Sequence, residues 1–479
     1  MAAASRRSAA RGLIAAFCLG ALLALAPATV RAEAAADGRF LLLSDIHFDP
    51  MADPLLVDRL AAAPPAGWPG ILDSAADRRL AGYGADTNWP LLRSALDAAK
   101  AAVPRPSFVL ITGDFLAHNF HARFAAAARD RSGAAFRSFV AKTMQFLAGE
   151  IAAAFPDTPV LPALGNNDEI CGDFELQPNG PFLADTLPVV RGLGDGGELA
   201  PGPAWTSYGN YSTTLAALPG VRIVFANTVF WARRYRDACG APGGPDPGKA
   251  TLDWLAGELA SAAAAHRRVW LVYHVPPGID GFATWRQGSC PGDILAMWTD
   301  GYARAYGELL RRYAGTVAAS FAGHTHMDDF RLLGEGADKF AFTLINPAVS
   351  PIFGQNPAFR IVDYDTAGGV LDQTTYELAN LAEAGAAAPP EWRAEYTFTR
   401  EWGLPRIDTA SLERLYATIG DDPAKRARWQ TLFVVSSPVY WQRATGGGAA
   451  KTAAVRAADC ATGHSDIAGF ARCDCGNNR

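Results

Sequence analysis

The residues of this 479-residue chain that could do chemistry stand in five short clusters. They are Asp45-Ile46-His47, Gly113-Asp114, Gly165-Asn166, His274 and Gly323-His324-Thr325-His326. Four of the eight histidines lie in these clusters. Imidazole nitrogens and carboxylate oxygens suit Zn, Fe or Mn, and the neutral carbonyl of Asn166 can complete a coordination sphere without adding charge. In an extended segment residues i and i+2 face one side, so Asp45 and His47 can grip one ion. Asp114 has two oxygens and is the natural bridge between two cations roughly 3.5–4 Å apart. Two divalent ions, two carboxylates and a bridging hydroxide leave the site at about +1, a surplus that suits an anionic phosphate ester attacked by the metal-bridging hydroxide. Asp45, His47, Asp114, Asn166, His274, His324 and His326 are thus the expected metal ligands.

Each cluster follows an apolar run, and strand C-terminal ends are where α/β sheets collect ligand sites. Strands are expected over Phe40 to Ser44, Phe108 to Thr112, Pro159 to Leu164, Arg268 to Tyr273 and Thr316 to Phe321. Helical periodicity separates them over Trp89 to Ala102, Ala134 to Phe155, Ala250 to His266 and Met297 to Tyr313. The polar, Gly- and Pro-rich stretch from Glu169 to Pro203 reads as a long covering loop. After His326 the alternation stops. Phe330 to Leu333, Phe340 to Ile345, Phe359 to Asp365 and Val370 to Glu377 read as consecutive antiparallel strands. From Ala379 the pattern turns helical, and the Gly- and Ala-rich Thr445 to Ala454 reads as a linker before a cysteine tail.

The chain is 49% hydrophobic and 19% charged, which fits a globular protein. Residues 1–32 carry a basic start, an apolar run too short to span a bilayer and a small-residue cleavage site, the pattern of a cleaved export signal. Its removal takes four arginines and no acids, leaving 39 basic against 48 acidic side chains. Such a chain is a poor partner for nucleic acid, and after cleavage no segment is expected to insert stably in a membrane. Cys171, Cys239, Cys290, Cys460, Cys473 and Cys475 then remain, an even set that in an exported chain suggests up to three disulfides.

Taken together, D-x-H, GD, GN, H and GHxH in this order resemble the calcineurin-like metallophosphoesterases. Gly113-Asp114-Phe115-Leu116-Ala117-His118, Tyr273-His274-Val275-Pro276-Pro277-Gly278, Trp254-Leu255-x-x-Glu258-Leu259, Asn356-Pro357-Ala358-Phe359-Arg360 and Trp402-Gly403-Leu404-Pro405 narrow the likeness to the acid sphingomyelinase-like phosphodiesterases. The resemblance implies an α/β fold, a four-layer α/β/β/α sandwich over residues 38–378 with a smaller helical C-terminal region over 379–479. It also implies two divalent metal ions, with zinc the first expectation. Asp45, His47, Asp114 and His326 would hold one ion, and Asp114, Asn166, His274 and His324 the other. His118 would protonate the leaving oxygen. The family's usual histidine after the GN asparagine is Asn167 here, which can donate a hydrogen bond to a phosphoryl oxygen but cannot deliver a proton. The larger sphingomyelin-cleaving relatives carry a saposin module before the catalytic domain. Only a few residues separate Ala32 from the first strand here, so soluble phosphodiesters, nucleotide-type or headgroup-type, are the expected substrates.

Two alternatives stand beside that reading. Gly165-Asn166-Asn167-Asp168 also resembles endopolyphosphatase-type members, which suggests phosphoanhydride hydrolysis. That reading needs a basic groove, and the loop from Glu169 to Pro203 offers only Arg191. The other is a retired enzyme that keeps the metal cage to bind metal or phosphate.

Overall fold

The computed structural model describes residues 36–194, 201–239, 244–288, 293–336, 338–384 and 388–476. The expected export signal, residues 1–32, and Cys290 lie outside the described residues. Twelve strands form two six-stranded sheets. They are β1 (Gly38–Leu43), β2 (Val109–Ile111), β3 (Val160–Pro162), β4 (Tyr211–Leu215), β5 (Leu218–Phe225), β6 (Arg268–Val272), β7 (Val317–Ala322), β8 (Asp329–Glu335), β9 (Asp338–Ile345), β10 (Ala358–Tyr364), β11 (Val370–Leu378) and β12 (Trp392–Thr397). One sheet runs β12-β11-β10-β1-β2-β3, the other β4-β5-β6-β7-β9-β8.

The parallel centres, β1-β2-β3 and β5-β6-β7, are apolar runs buried on both faces, as parallel strands must be. Aromatic side chains lock the sheets face to face. Trp270 of β6 lies 5.5 Å from Phe40 of β1 and 5.8 Å from Tyr364 of β10, ring centre to ring centre. The indole Nε1–H of Trp270 donates to Gly368 O at 2.9 Å, which satisfies its buried polar edge. Helices cover the outer faces, Trp89–Ala102 against β10 and Pro247–Ala264 against β5 and β6. This is the α/β/β/α layering expected.

Four stretches differ from the sequence expectation. The four strands expected to run consecutively antiparallel after His326 divide into two pairs, β8 with β9 in the second sheet and β10 with β11 in the first. The loop from Glu169 to Pro203 contains a helix, Pro181–Gly192, which buries Phe182, Leu183, Thr186 and Val190. The stretch after Ala379 is not all helical, because β12 extends the first sheet against β11. Thr445 to Ala454 is no linker. A helix over Gly448–Gly463 runs through it, and its small residues pack closely against the helix Gly281–Arg286. Cys171 pairs with Cys239 and Cys460 with Cys473, and Cys475 is disulfide-bonded as well.

Candidate metal centre

All seven expected ligands sit just past strand ends, and five of them lie on backbone that ordinary residues avoid. Asp45, His47, Asp114, His324 and His326 have φ of 47°, 43°, 57°, 74° and 66°. Left-handed backbone turns each strand sharply and aims the next side chain back over the sheet edge. The preceding glycines exist for close approach. A Cβ on Gly165 would collide with the Asp114 carboxylate, and one on Gly323 with Ser44 and Asp45.

The side chains converge on Asp114. His274 Nε2 lies 3.2 Å and His47 Nε2 3.4 Å from its Oδ2. His326 Nε2 lies 3.3 Å from Asp45 Oδ1 and 3.1 Å from His47 Nε2. Asn166 Oδ1 lies 3.0 Å from His274 Nε2, and the His324 and His274 ring centres are 5.2 Å apart. Asp45, His47, Asp114, His274 and His326 are almost wholly buried.

Outer partners fix which nitrogen faces inward. His47 Nδ1 is 2.9 Å from Leu116 O, and His274 Nδ1 is 2.8 Å from Thr112 O. A carbonyl accepts, so both Nδ1 atoms donate and the neutral rings turn Nε2 lone pairs inward. Unless a proton fills them, those lone pairs face further acceptors, Asn166 Oδ1 and Asp114 Oδ2, at distances where like partial charges repel. A cation in their midst removes the conflict, so this donor set fits divalent metal ions.

The electrostatics agree. Burial opposes charge on His47, but Asp114 and Asp45 outweigh it and push the imidazole up to about 9. His274 is likewise pushed up to about 9 against burial by the same two carboxylates. Burial, with the neighbouring histidines, drives His324 and His326 down to about 3. Asp45 and Asp114 stay well below the usual carboxylate range although buried, because imidazolium charge beside them outweighs desolvation. The pocket attracts positive charge, yet it cannot seat four imidazolium rings.

Three acidic residues that the sequence did not single out organise this centre. Asp168 is fully buried and accepts from the backbone N–H of Asp114 at 2.9 Å, Phe115 at 2.7 Å, Leu116 at 3.2 Å and Gly165 at 2.8 Å. It clasps the two ligand loops together. Asp86 accepts from His118 Nδ1 at 2.9 Å and from the His118 backbone N–H at 2.9 Å. Asp173 accepts from Asn166 Nδ2 at 2.7 Å. Asp168 stood in the Gly165-to-Asp168 motif and could have been flagged by its place there. Asp86 and Asp173 carry no local signal.

His118 stacks on His47 with ring centres 4.0 Å apart, and its side chain is one-quarter exposed. Asn167 faces inward, where its backbone N–H donates to Asp114 Oδ1 at 2.8 Å and its Nδ2 to Asp114 Oδ2 at 2.9 Å. His121 is exposed against Phe136, His266 is exposed, and His464 is half-buried beside Tyr416. None of these three joins the centre.

A cavity of about 780 Å³ opens beside His324. Phe353, Trp441 and Met327 give it apolar walls, and Arg234, Arg286 and Arg443 border it. Among the described residues no helix is long and apolar enough to cross a membrane.

Comparison with known proteins accords with this geometry. The chain is 29% identical over 422 residues to the acid sphingomyelinase-like phosphodiesterase 3b of Homo sapiens, covering 83% of each chain. It is 26% identical to the cyclic GMP-AMP phosphodiesterase SMPDL3A of Mus musculus, covering 84% of each. It is 28% identical to the sphingomyelin phosphodiesterase of Homo sapiens, over 82% of this chain and 59% of that one. The family profile described as calcineurin-like phosphoesterase matches residues 38–328, more than half of the chain, and the chain belongs to that family.

Proposed function

We propose that this protein is an exported phosphodiesterase that uses two divalent metal ions to cleave small, soluble phosphodiesters. The observation that carries the reading is the ring of inward-facing acceptors around Asp114. Asp45, His47, Asp114 and His326 would hold one ion, and Asp114, Asn166, His274 and His324 the other. Once bound, such ions supply Lewis-acid charge for the phosphoryl oxygens and acidify the attacking water.

The remaining work falls to the chain's own side chains. His118 Nδ1–H is committed to Asp86, so Nε2 is the nitrogen that can hold and release a proton toward a leaving oxygen. Burial alone would raise the Asp86 carboxyl, but the His118 hydrogen bond and the charges of His47 and Arg123 keep it depressed. An ionised Asp86 then stabilises the imidazolium that a general acid needs. Asn167 gives one amide hydrogen to Asp114 and keeps the second for a phosphoryl oxygen. The cavity beside His324 has the size of a small-ligand site and would take the substituent of the ester. The disulfides support an oxidising compartment.

The three arginines bordering that cavity favour a second reading, hydrolysis of a phosphoanhydride. One experiment separates the two. Bound metal is quantified on the purified mature chain while bis-p-nitrophenyl phosphate, cyclic GMP-AMP, detergent-solubilised sphingomyelin, ATP and polyphosphate are assayed in parallel. About two ions per chain with diester cleavage are expected. Two ions with ATP or polyphosphate preferred would transfer the assignment to the second reading. Fewer ions and no turnover on any substrate would mean a retired enzyme.

A further inference from the structure

The wall of the metal centre formed by residues 169–176 is braced from outside. Cys171 is bonded to Cys239, and the segment before Cys239 runs along the wall. Arg236 N donates to Phe174 O at 3.0 Å, the Arg236 guanidinium pairs with Glu175, and Tyr235 OH donates to Leu176 O at 3.2 Å. Phe174 is held at φ 59°, its N–H donating to Asn166 O at 2.9 Å, and the Arg234 guanidinium lies 4.6 Å over its ring.

What this brace delivers is a carboxylate at one fixed place. Asp173 Oδ1 accepts from Asn166 Nδ2 at 2.7 Å, while Asp173 Oδ2 accepts from Arg234 Nη2 at 2.7 Å. A primary amide has nearly the same shape either way round, so only its hydrogen bonds decide which end faces a given neighbour. The inward end of Asn166 is 3.0 Å from His274 Nε2, where only an oxygen can ligate a cation. Turned over, the amide would aim its N–H groups at the ion.

We infer that Asp173 is a positioning residue. It keeps Asn166 in the oxygen-inward orientation, and Arg234 and the Cys171–Cys239 bridge hold Asp173 there. The inference rests on the two-ion reading above. It adds that one of the two ions depends on a wall lying outside the ligand motifs. The hydrogen bond that Asp173 makes into the centre goes to Asn166, so its loss should weaken one ion and spare the ion held by Asp45, His47, Asp114 and His326.

The test is metal content measured across a series of zinc-buffered solutions, with the melting temperature followed alongside. Wild type should hold two ions. Asp173→Ala should release one of them at about 10–100-fold higher free zinc than wild type, the range for losing an outer-shell partner. The second ion should stay at its wild-type threshold. In an Asn166→Ala background, Asp173→Ala should cause no further change. Arg234→Ala, at an exposed side chain, should move the same ion in the same direction by less, as should Cys171→Ser with Cys239→Ser. The inference is overturned if Asp173→Ala moves neither ion, moves both equally, or acts as strongly without Asn166. Wild type holding fewer than two ions would overturn the two-ion reading and this inference together, whereas two unmoved ions in Asp173→Ala overturn this inference alone.

Discussion

Replacing His118 with alanine tests the catalytic assignment more sharply than removing any metal ligand. The imidazole covers His47 at 4.0 Å between ring centres but stands outside the seven-ligand set, and its Nδ1 is tied to buried Asp86 at 2.9 Å. General acids contribute about 10²–10⁴-fold, which at about 1.36 kcal/mol per decade is roughly 3–5 kcal/mol of barrier. That whole penalty should fall on diesters with an alcohol leaving group. A p-nitrophenolate leaves without much help, so bis-p-nitrophenyl phosphate should lose little. Asp86→Asn keeps the shape but removes the charge facing the imidazolium. A hydrogen bond to a charged group is worth about 1.5–3 kcal/mol, so a tenfold to hundredfold loss on the alkyl diester is expected there. The assay is kcat/KM for both substrate types, with bound metal measured on the same samples. Equal losses on both substrates would refute proton donation by His118. So would release of an ion from His118→Ala, since its ligand nitrogen lies within 4.8 Å of those of His47 and His326 and could itself ligate.

Two further outcomes follow from single groups. Asp114→Asn keeps the shape of the bridge but removes its charge. Both ions and turnover should fall together, by more than the roughly 10–100-fold that an outer-shell loss costs, and a fully active variant would refute the site. Away from the site, burial, with the nearby Asp329 charge, pushes Asp459 from 3.8 up to about 7. The folded state keeps a proton there that the unfolded chain releases. This stabilisation is therefore full below about pH 4 and is lost as pH rises toward 7, at most about 4 kcal/mol by the size of the shift. Melting temperatures at pH 5 and pH 8 should lie closer together in Asp459→Asn than in wild type, and an unchanged gap would refute the assignment.

The candidate ligands could be picked out because each lies within four residues of the end of an apolar run that forms a buried strand. Phe40 to Leu43 and Val109 to Ile111 have little choice of structure, and a polar residue at their ends must either bind something or be solvated. The partners of those ligands were not legible. Asp86 reaches His118 from 32 residues away, and Asp173 reaches Asn166 across a loop whose sequence reads as polar filler. Such contacts depend on how loops close over the sheets, which no short pattern encodes. The basic wall of the cavity has no local pattern for the same reason. The loop from Glu169 to Pro203 offers only Arg191, whereas Arg234, Arg286 and Arg443 reach the cavity from three separate segments. Composition misled as well. The glycines and alanines of 446–454 resemble a linker, but small side chains also permit close packing, and Ala457, Cys460 and Ala461 share a buried cluster with Ile279 and Phe470.

The backbone at the ligands shows where the fold's stability is committed. Five non-glycine ligands in the left-handed region, at about 1–2 kcal/mol each, cost roughly 5–10 kcal/mol, as much as the whole net stability of a typical domain. Such conformations persist only if the surroundings over-determine them. Here the surroundings are identifiable. Asp168 takes four backbone N–H groups from the GD and GN loops, and Asp45 accepts from His324 N at 3.1 Å, which ties the D-x-H loop to the GHxH loop. The sheets supply rigid strands behind them, locked face to face through Phe40, Trp270 and Tyr364. The fold's own contacts thus hold the loops that carry the candidate ligands. Metal affinity should then depend on the clasp of Asp168 as much as on any single ligand.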